Sequence, residues 1–324
     1  MDLSSISQPI DPQLKEFRRF FRESMHSKIL LLDIVVRYIL RQKGKQVRPM
    51  LVLLAAEVAG GISHRTFVGA TMVELLHTAT LVHDDVVDEA EERRGLPSIN
   101  AVWKNKVSVL VGDYLLSRGL LVAVEHNEFG FLKITSETVK RMSEGELLQI
   151  QKSRKLDIQE SEYFRIISDK TASLIGACCE LGASSATDNP EACTALRAYG
   201  EMVGIAFQIR DDIFDYVSTG AAIGKPTGND LKERKLTLPL IYSMNNAPRK
   251  ESKRILGLIK KGEESEERSR AVRDFVTQYG GLVYAEKTAI EYCARAREAI
   301  ADFPEGPAKR SLLGFVEFAL KRNA

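Results

Sequence analysis

The sequence predicts an all-α fold, and three observations predict it. Proline is absent between Met50 and Leu96, between Ser98 and Asn189, and between Glu191 and Lys225. A helix interior rejects proline by about 3 kcal/mol, so these gaps leave room for long helices. Apolar residues inside them recur at helical spacing, as in Leu51, Leu54, Ala55 and Val58, and in Val73, Leu76, Thr80 and Val82. Strand-like alternation is scarce and no Gly-x-Gly-x-x-Gly occurs. Gly220 to Lys225 resembles a phosphate loop, but its spacing is short by one and no Ser or Thr follows the Lys.

The helices follow in order between turn-forming stretches. Breaks are expected at Arg41–Gly44, Gly60–Ser63, Glu92–Ser98, Asn127–Gly130, Ser184–Pro190, Ser218–Arg234, Asn245–Arg249, Gly280–Gly281 and Phe303–Pro307. Lys260–Arg270 is a mixed-charge run, expected as a solvated helix or loop. No composition shift, repeat or low-complexity tract marks a boundary. Residues 1–324 therefore read as one large helical domain.

The totals exclude several classes. A 44% hydrophobic and 28% charged composition suits a globular chain rather than a disordered one. A net charge of +2 provides no global field for nucleic acid, and none is expected as a partner. Cys178, Cys179, Cys193 and Cys293 form no Cys-x-x-Cys pair, which speaks against a zinc site or a disulfide framework. Reduced thiols fit a cytoplasmic protein best. Met1 to Gln13 lacks the apolar block of a signal peptide. No apolar run approaches the roughly 20 residues of a membrane span. Ile29–Leu40 is the most apolar early stretch, and Asp33 and Arg37 break it.

Two acidic runs carry the chemistry. His83-Asp84-Asp85-Val86-Val87-Asp88 and Gln208-Ile209-Arg210-Asp211-Asp212-Ile213-Phe214-Asp215 each contain Asp-Asp-x-x-Asp at the end of an apolar helix. Residues four apart share a helix face, so Asp84 pairs with Asp88 and Asp211 with Asp215. Two carboxylates about 4 Å apart repel by about 4 kcal/mol at an effective dielectric near 20. A cation relieves that repulsion; all-oxygen clusters suit Mg²⁺, which usually brings a phosphate. Basic residues accompany both runs. Gly44-Lys45-Gln46-Val47-Arg48-Pro49 opens a helix, His77 lies two turns before Asp84, and Arg93-Arg94-Gly95 forms a turn after the first run. Lys170-Thr171 is expected at a helix start, and Gly224-Lys225-Pro226 and Lys235-Leu236-Thr237-Leu238-Pro239 follow the second run. Helix N-termini and guanidinium forks both favour phosphate.

In this order, the motifs resemble those of the all-trans isoprenyl diphosphate synthases along nearly the whole chain. The wording from His77 to Asp88 resembles the long-chain polyprenyl branch, which makes quinone side chains. The resemblance implies a single helical bundle with a central cavity. It also implies condensation of isopentenyl diphosphate with an allylic diphosphate primer of geranyl or farnesyl type. Asp84, Asp85, Asp88, Asp211, Asp212 and Asp215 would hold about three Mg²⁺ around the allylic diphosphate. Arg93, Lys170, Lys225 and Lys235 would contact that diphosphate. Lys45, Arg48, His77 and Arg94 would bind isopentenyl diphosphate. Gln208 and Thr171 would lie near the allylic carbon, with Gln149 facing the same cavity and Phe207 and Phe214 lining it. Asn229 stands where many members carry a second aspartate beside Asp230.

In the family, residues one turn before the first motif form the floor of the elongation tunnel. Ala79 and Thr80 are small, which implies a long product, with Gly119 and Ala123 as an open stripe deeper in. The family is usually homodimeric, and a long product implies peripheral membrane contact for its release. The alternatives are a shorter-chain farnesyl or geranylgeranyl synthase, a terpene cyclase, a non-catalytic partner subunit, and a di-iron bundle. The last rests on Glu23-x-x-His26 and Glu74-x-x-His77.

Overall fold

The computed structural model describes residues 2–42, 44–217, 234–261 and 266–321. These are almost entirely helical: α1 (Leu3–Ser7), α2 (Asp11–Ser24), α3 (Leu30–Arg41), α4 (Val47–Ala59), α5 (His64–Val87), α6 (Ile99–Glu125), α7 (Phe129–Lys155), α8 (Glu160–Ile167), α9 (Ser173–Ala186), α10 (Pro190–Val217), α11 (Leu238–Asn246), α12 (Arg249–Lys261), α13 (Glu266–Gln278), α14 (Gly281–Ala299) and α15 (Pro307–Lys321). A 3₁₀ turn (Gln8–Ile10) joins α1 to α2, and a π-helical turn (Ser168–Ala172) joins α8 to α9. The only strands among the described residues are β1 (Glu92–Arg93) and β2 (Leu96–Pro97), a minimal antiparallel hairpin. The all-α expectation therefore holds.

The helix ends lie where local chemistry places them. The Ser63 hydroxyl and Thr66 form a reciprocal capping box at the start of α5. The Asn189 side chain accepts the Glu191 and Ala192 amides, with Pro190 as the first residue of α10. Each expected break that falls on described residues lies between two helices. Two breaks were not expected, at 25–29 and at 156–159. Leu156 takes φ 54° there while remaining buried, so tertiary packing ends α7 without a Gly or Pro.

The chain divides into two compact units. One comprises Met1–Glu137, Ala177–Arg197 and Asp302–Gly314. In it α4 is buried all round from Pro49 to Ala56, and α5 packs along α6. A helix that is apolar on every side belongs in a core. The other unit comprises Thr138–Gly176, Ala198–Ala301 and Phe315–Ala324. Its core gathers Tyr163, Ile167, Ile205, Ile209, Leu238, Ile241, Phe275 and Ala289. Burying each large aliphatic or aromatic side chain contributes roughly 1.5–3 kcal/mol.

One sequence expectation changes. By length and composition α6 is apolar enough to cross a membrane. It is broken at Lys104 (φ 67°), and one face packs on α5 while Val102, Val109, Leu110, Leu120, Leu121 and Val124 stay exposed.

Candidate active site

The first aspartate motif closes α5. The Asp88 amide donates to the Asp84 carbonyl at 2.8 Å, so helical spacing persists through the last residue of the motif. Asp84 and Asp88 are exposed, whereas Asp85 is buried. Arg93 grips Asp85: its Nε donates to Oδ1 at 2.8 Å and its Nη2 to the same oxygen. Arg93 can reach back because β1 and β2 turn through Arg94 (φ 56°) and Gly95 (φ 74°), the backbone signature of a type I′ turn.

A cavity of about 420 Å³ opens beside this hairpin, lined among others by Gln42, Gln46, Glu74, Thr78, Arg93 and Arg94. The Nε of Arg48 is shielded from solvent without a hydrogen-bond partner. Burial, reinforced by Arg48, Arg94 and Arg93, pushes the His77 imidazole down to about 2. His77 is therefore neutral at physiological pH, with one N–H to offer. Burial raises the Glu74 carboxyl against the pull of Arg48 and Arg94. This surrounding of cations suits an anion and disfavours the iron reading of Glu74 and His77. Lys45 is exposed just ahead of α4.

Five further residues of this unit were singled out in the sequence. His83 lies against α6, its Nε2 at 3.3 Å from the Val109 carbonyl and 3.5 Å from Asp113. A Cβ at Gly112 would stand 2.2 Å from that nitrogen, so only glycine leaves room for the ring. Ala79 is buried, and Thr80 donates to the His77 carbonyl at 2.9 Å. Gly119 and Ala123 do not form an open stripe. Ala123 has no exposure, and a Cβ at Gly119 would already touch Leu75 Cβ at 3.7 Å, because α5 fills that face.

The second motif repeats the burial pattern of the first. Asp212 is buried, while Asp211 and Asp215 are half-buried. The Tyr163 hydroxyl donates to Asp212 Oδ2 at 2.6 Å, and Gln208 Nε2 donates to Oδ1 at 2.9 Å. Thr171 Oγ1 in turn donates to Gln208 Oε1 at 3.1 Å. Lys170 pairs with Glu146 at 2.5 Å and reaches Gln149 Oε1 at 3.5 Å. A small cavity of about 90 Å³ gathers Gln149, Lys170, Thr171, Gln208, Asp212 and Lys235 on its walls. Phe214 lies under the Arg210 guanidinium at 5.5 Å.

Lys170 and Thr171 do not start a helix, as the sequence suggested; they form the π turn between α8 and α9. Single π turns interrupt helices most often at functional sites. Here Gly145 makes room for the turn, since a Cβ there would lie 2.9 Å from the Lys170 amide nitrogen. Lys225, Asn229 and Asp230 lie outside the described residues. Sequence reasoning missed Tyr163 and Glu146. Glu146 sits one turn from Gln149 on α7 and could have been found by that spacing; Tyr163 carries no motif signal.

The donor set fits Mg²⁺. Among the described residues, no three or more His, Cys, Asp or Glu side chains are drawn around one point. Mg²⁺ is ordinarily held by one or two carboxylates, with waters and substrate phosphates completing the octahedron. The outward pairs Asp84/Asp88 and Asp211/Asp215 offer that kind of partial, all-oxygen set.

An all-helical chain with two such motifs and nearby basic clusters defines a class of metal-assisted diphosphate chemistry. Comparison with known proteins narrows the class. The polyprenyl synthetase family profile matches residues 30–276. The octaprenyl diphosphate synthase of Escherichia coli (strain K12) is 34% identical over 325 residues, covering 100% of both chains. The all-trans-nonaprenyl-diphosphate synthase (geranyl-diphosphate specific) of Rhodobacter capsulatus is 38% identical, covering 98% of this chain and 97% of its own. The crystal structure of the polyprenyl synthase from Caulobacter crescentus CB15, complexed with calcium and isoprenyl diphosphate, superposes with a TM-score of 0.90 at 32% identity, covering 100% of this chain and 98% of that one. The chain belongs to the polyprenyl synthetase family, and with it to the prenyltransferases.

Proposed function

We propose that this prenyltransferase condenses isopentenyl diphosphate with an allylic diphosphate to give a linear, all-trans polyprenyl diphosphate longer than geranylgeranyl, for quinone side chains. The observation that carries the reading is the repeated motif: each Asp-Asp-x-x-Asp buries its middle carboxylate and turns the outer pair outward. Asp84, Asp88, Asp211 and Asp215 are the direct Mg²⁺ ligands in this reading, and Asp85 and Asp212 fix their helices. Full-length similarity to octaprenyl and nonaprenyl synthases supports a long product. The family profile runs through both units, which supports residues 1–324 as one synthase domain.

Bound Mg²⁺ supplies positive charge to the diphosphate as it departs. The chain's own residues do the rest. Lys170, Lys235 and Arg93 hold the allylic diphosphate, with Lys225 assigned the same role from its motif. Preorganised cations aimed at the departing charge are the largest catalytic term available. Thr171 and Gln208 orient the allylic end. Arg48, with an unpaired guanidinium nitrogen, joins Lys45, Arg94 and neutral His77 in holding isopentenyl diphosphate. The allylic C–O bond breaks, the double bond of isopentenyl diphosphate attacks the allylic cation to form the new C–C bond, and a proton passes to the departing diphosphate. Because His77 carries no positive charge, it donates to isopentenyl diphosphate without trapping it. Small Ala79 and Thr80 leave the chain path open.

A homodimer is also proposed. α3 packs against α6 through the Tyr38–Trp103 ring contact at 5.1 Å, and its Leu30, Leu31 and Ile34, with Ile29 just before it, are exposed like the apolar residues of α6. A second copy would cover such a face. Peripheral membrane contact for product release and a cytoplasmic setting complete the reading. The deciding assay supplies labelled isopentenyl diphosphate, Mg²⁺ and each allylic primer, then sizes the products. Cyclic products would favour a cyclase instead.

A further inference from the structure

We infer that Tyr163 is a positioning residue for the second aspartate motif, acting through Asp212. The inference rests on the proposed reading of the aspartates as metal ligands, and names a residue that reading does not contain. Tyr163 is 3% exposed on α8, and its hydroxyl donates to Asp212 Oδ2 at 2.6 Å. Gln208 holds the other oxygen at 2.9 Å, and Thr171 holds Gln208 at 3.1 Å. Donors thus meet both carboxylate oxygens of Asp212 from different elements. A carboxylate fixed at both oxygens fixes the rotation of its helix at that point. Asp211 and Asp215 flank Asp212 on α10, and their direction follows from that rotation.

A tyrosine has only two side-chain torsions and packs its ring against Phe164 at 5.4 Å, so little freedom is left in the strap.

The test is Tyr163→Phe, which removes one oxygen and keeps the ring. Mn²⁺ binding is followed by electron paramagnetic resonance with inorganic diphosphate present. The Phe variant should bind Mn²⁺ about tenfold more weakly, the scale of one hydrogen bond to a charged group. The Mg²⁺ concentration for half-maximal activity should rise by a similar factor, with KM for isopentenyl diphosphate unchanged. Tyr284→Phe is the control, because it removes a tyrosine–carboxylate bond of the same 2.6 Å length, to Glu160. It should leave both readouts at wild-type values. In an Asp212→Asn background, adding Tyr163→Phe should cost nothing further if the tyrosine acts through Asp212. Wild-type Mn²⁺ affinity in Tyr163→Phe, or an additive loss in the double variant, overturns the inference while leaving the metal reading intact. A wild-type protein that binds no Mn²⁺ with diphosphate overturns both.

Discussion

The two aspartate motifs share a sequence pattern and a burial pattern, yet their middle carboxylates are held by opposite means. Asp85 is held by a cation, Arg93, which is itself assigned to the allylic diphosphate. Asp212 is held by the neutral donors Tyr163 and Gln208. The first motif is therefore partly neutralised at rest and must share its arginine when diphosphate arrives. The second is oriented by a hydroxyl and an amide and offers a preset binding face. The same five-residue pattern can thus build a responsive site and a rigid one, and the difference comes from residues outside the motif.

The largest expected effect tests what the motifs have in common. Asp84→Ala and Asp211→Ala each remove an outward ligand, and kcat should fall by roughly 10³, the worth of several kcal/mol of charge stabilisation. Steady-state turnover at saturating Mg²⁺ measures it. A tenfold loss or less at either position would mean that motif is not a ligand set.

The next effect separates the motifs. Arg93→Met leaves Asp85 buried beside no cation and should cost roughly 3 kcal/mol of stability. Tyr163→Phe removes one neutral donor and should cost about 1 kcal/mol. Urea unfolding of both variants compares them directly. Equal losses would erase the distinction between cation-held and dipole-held aspartates.

A third prediction concerns pH. His77 is neutral in the folded protein, with its pKa lowered from 6.5 to about 2 by burial and by Arg48, Arg94 and Arg93. Between those values the unfolded chain binds the proton and the folded one does not, so folding stability falls as pH drops below 6.5. The loss is about 1.4 kcal/mol per pH unit, hence about 2 kcal/mol at pH 5. His77→Gln should flatten this slope in urea titrations at pH 5 and 7, with the neighbouring Glu74 retained. An unchanged slope would place the acid sensitivity elsewhere.

The fold was largely legible because proline gaps and turn residues act locally. Each expected break on described residues separates two helices, whereas the break after Lys155 depends on the buried, left-handed Leu156 and left no local signal. The site was legible as far as its motifs run. The aspartates, Arg93 and Lys170 stand out by type and spacing. Tyr163 does not, because a buried tyrosine reads as core until its hydroxyl partner is seen 49 residues away. The π turn at Lys170–Thr171 was also hidden, since it depends on the close approach of α7 at Gly145. The Gly119–Ala123 stripe failed for the opposite reason: small residues permit a groove, and here α5 fills it.

The smallest expected effect on rate, but the most visible in product, is Ala79→Phe. It should leave the first condensation intact and shorten the final chain by chromatography. An unchanged length would remove Ala79 from the elongation path.

The central claim is that the chain elongates an allylic diphosphate with isopentenyl diphosphate, dependent on Mg²⁺, to a long linear product. Labelled isopentenyl diphosphate, with geranyl or farnesyl diphosphate as primer, tests it most directly by sizing the extracted products with and without Mg²⁺. The account predicts linear polyprenyl products longer than geranylgeranyl that vanish when the metal is chelated. No Mg²⁺-dependent elongation with any primer would contradict it.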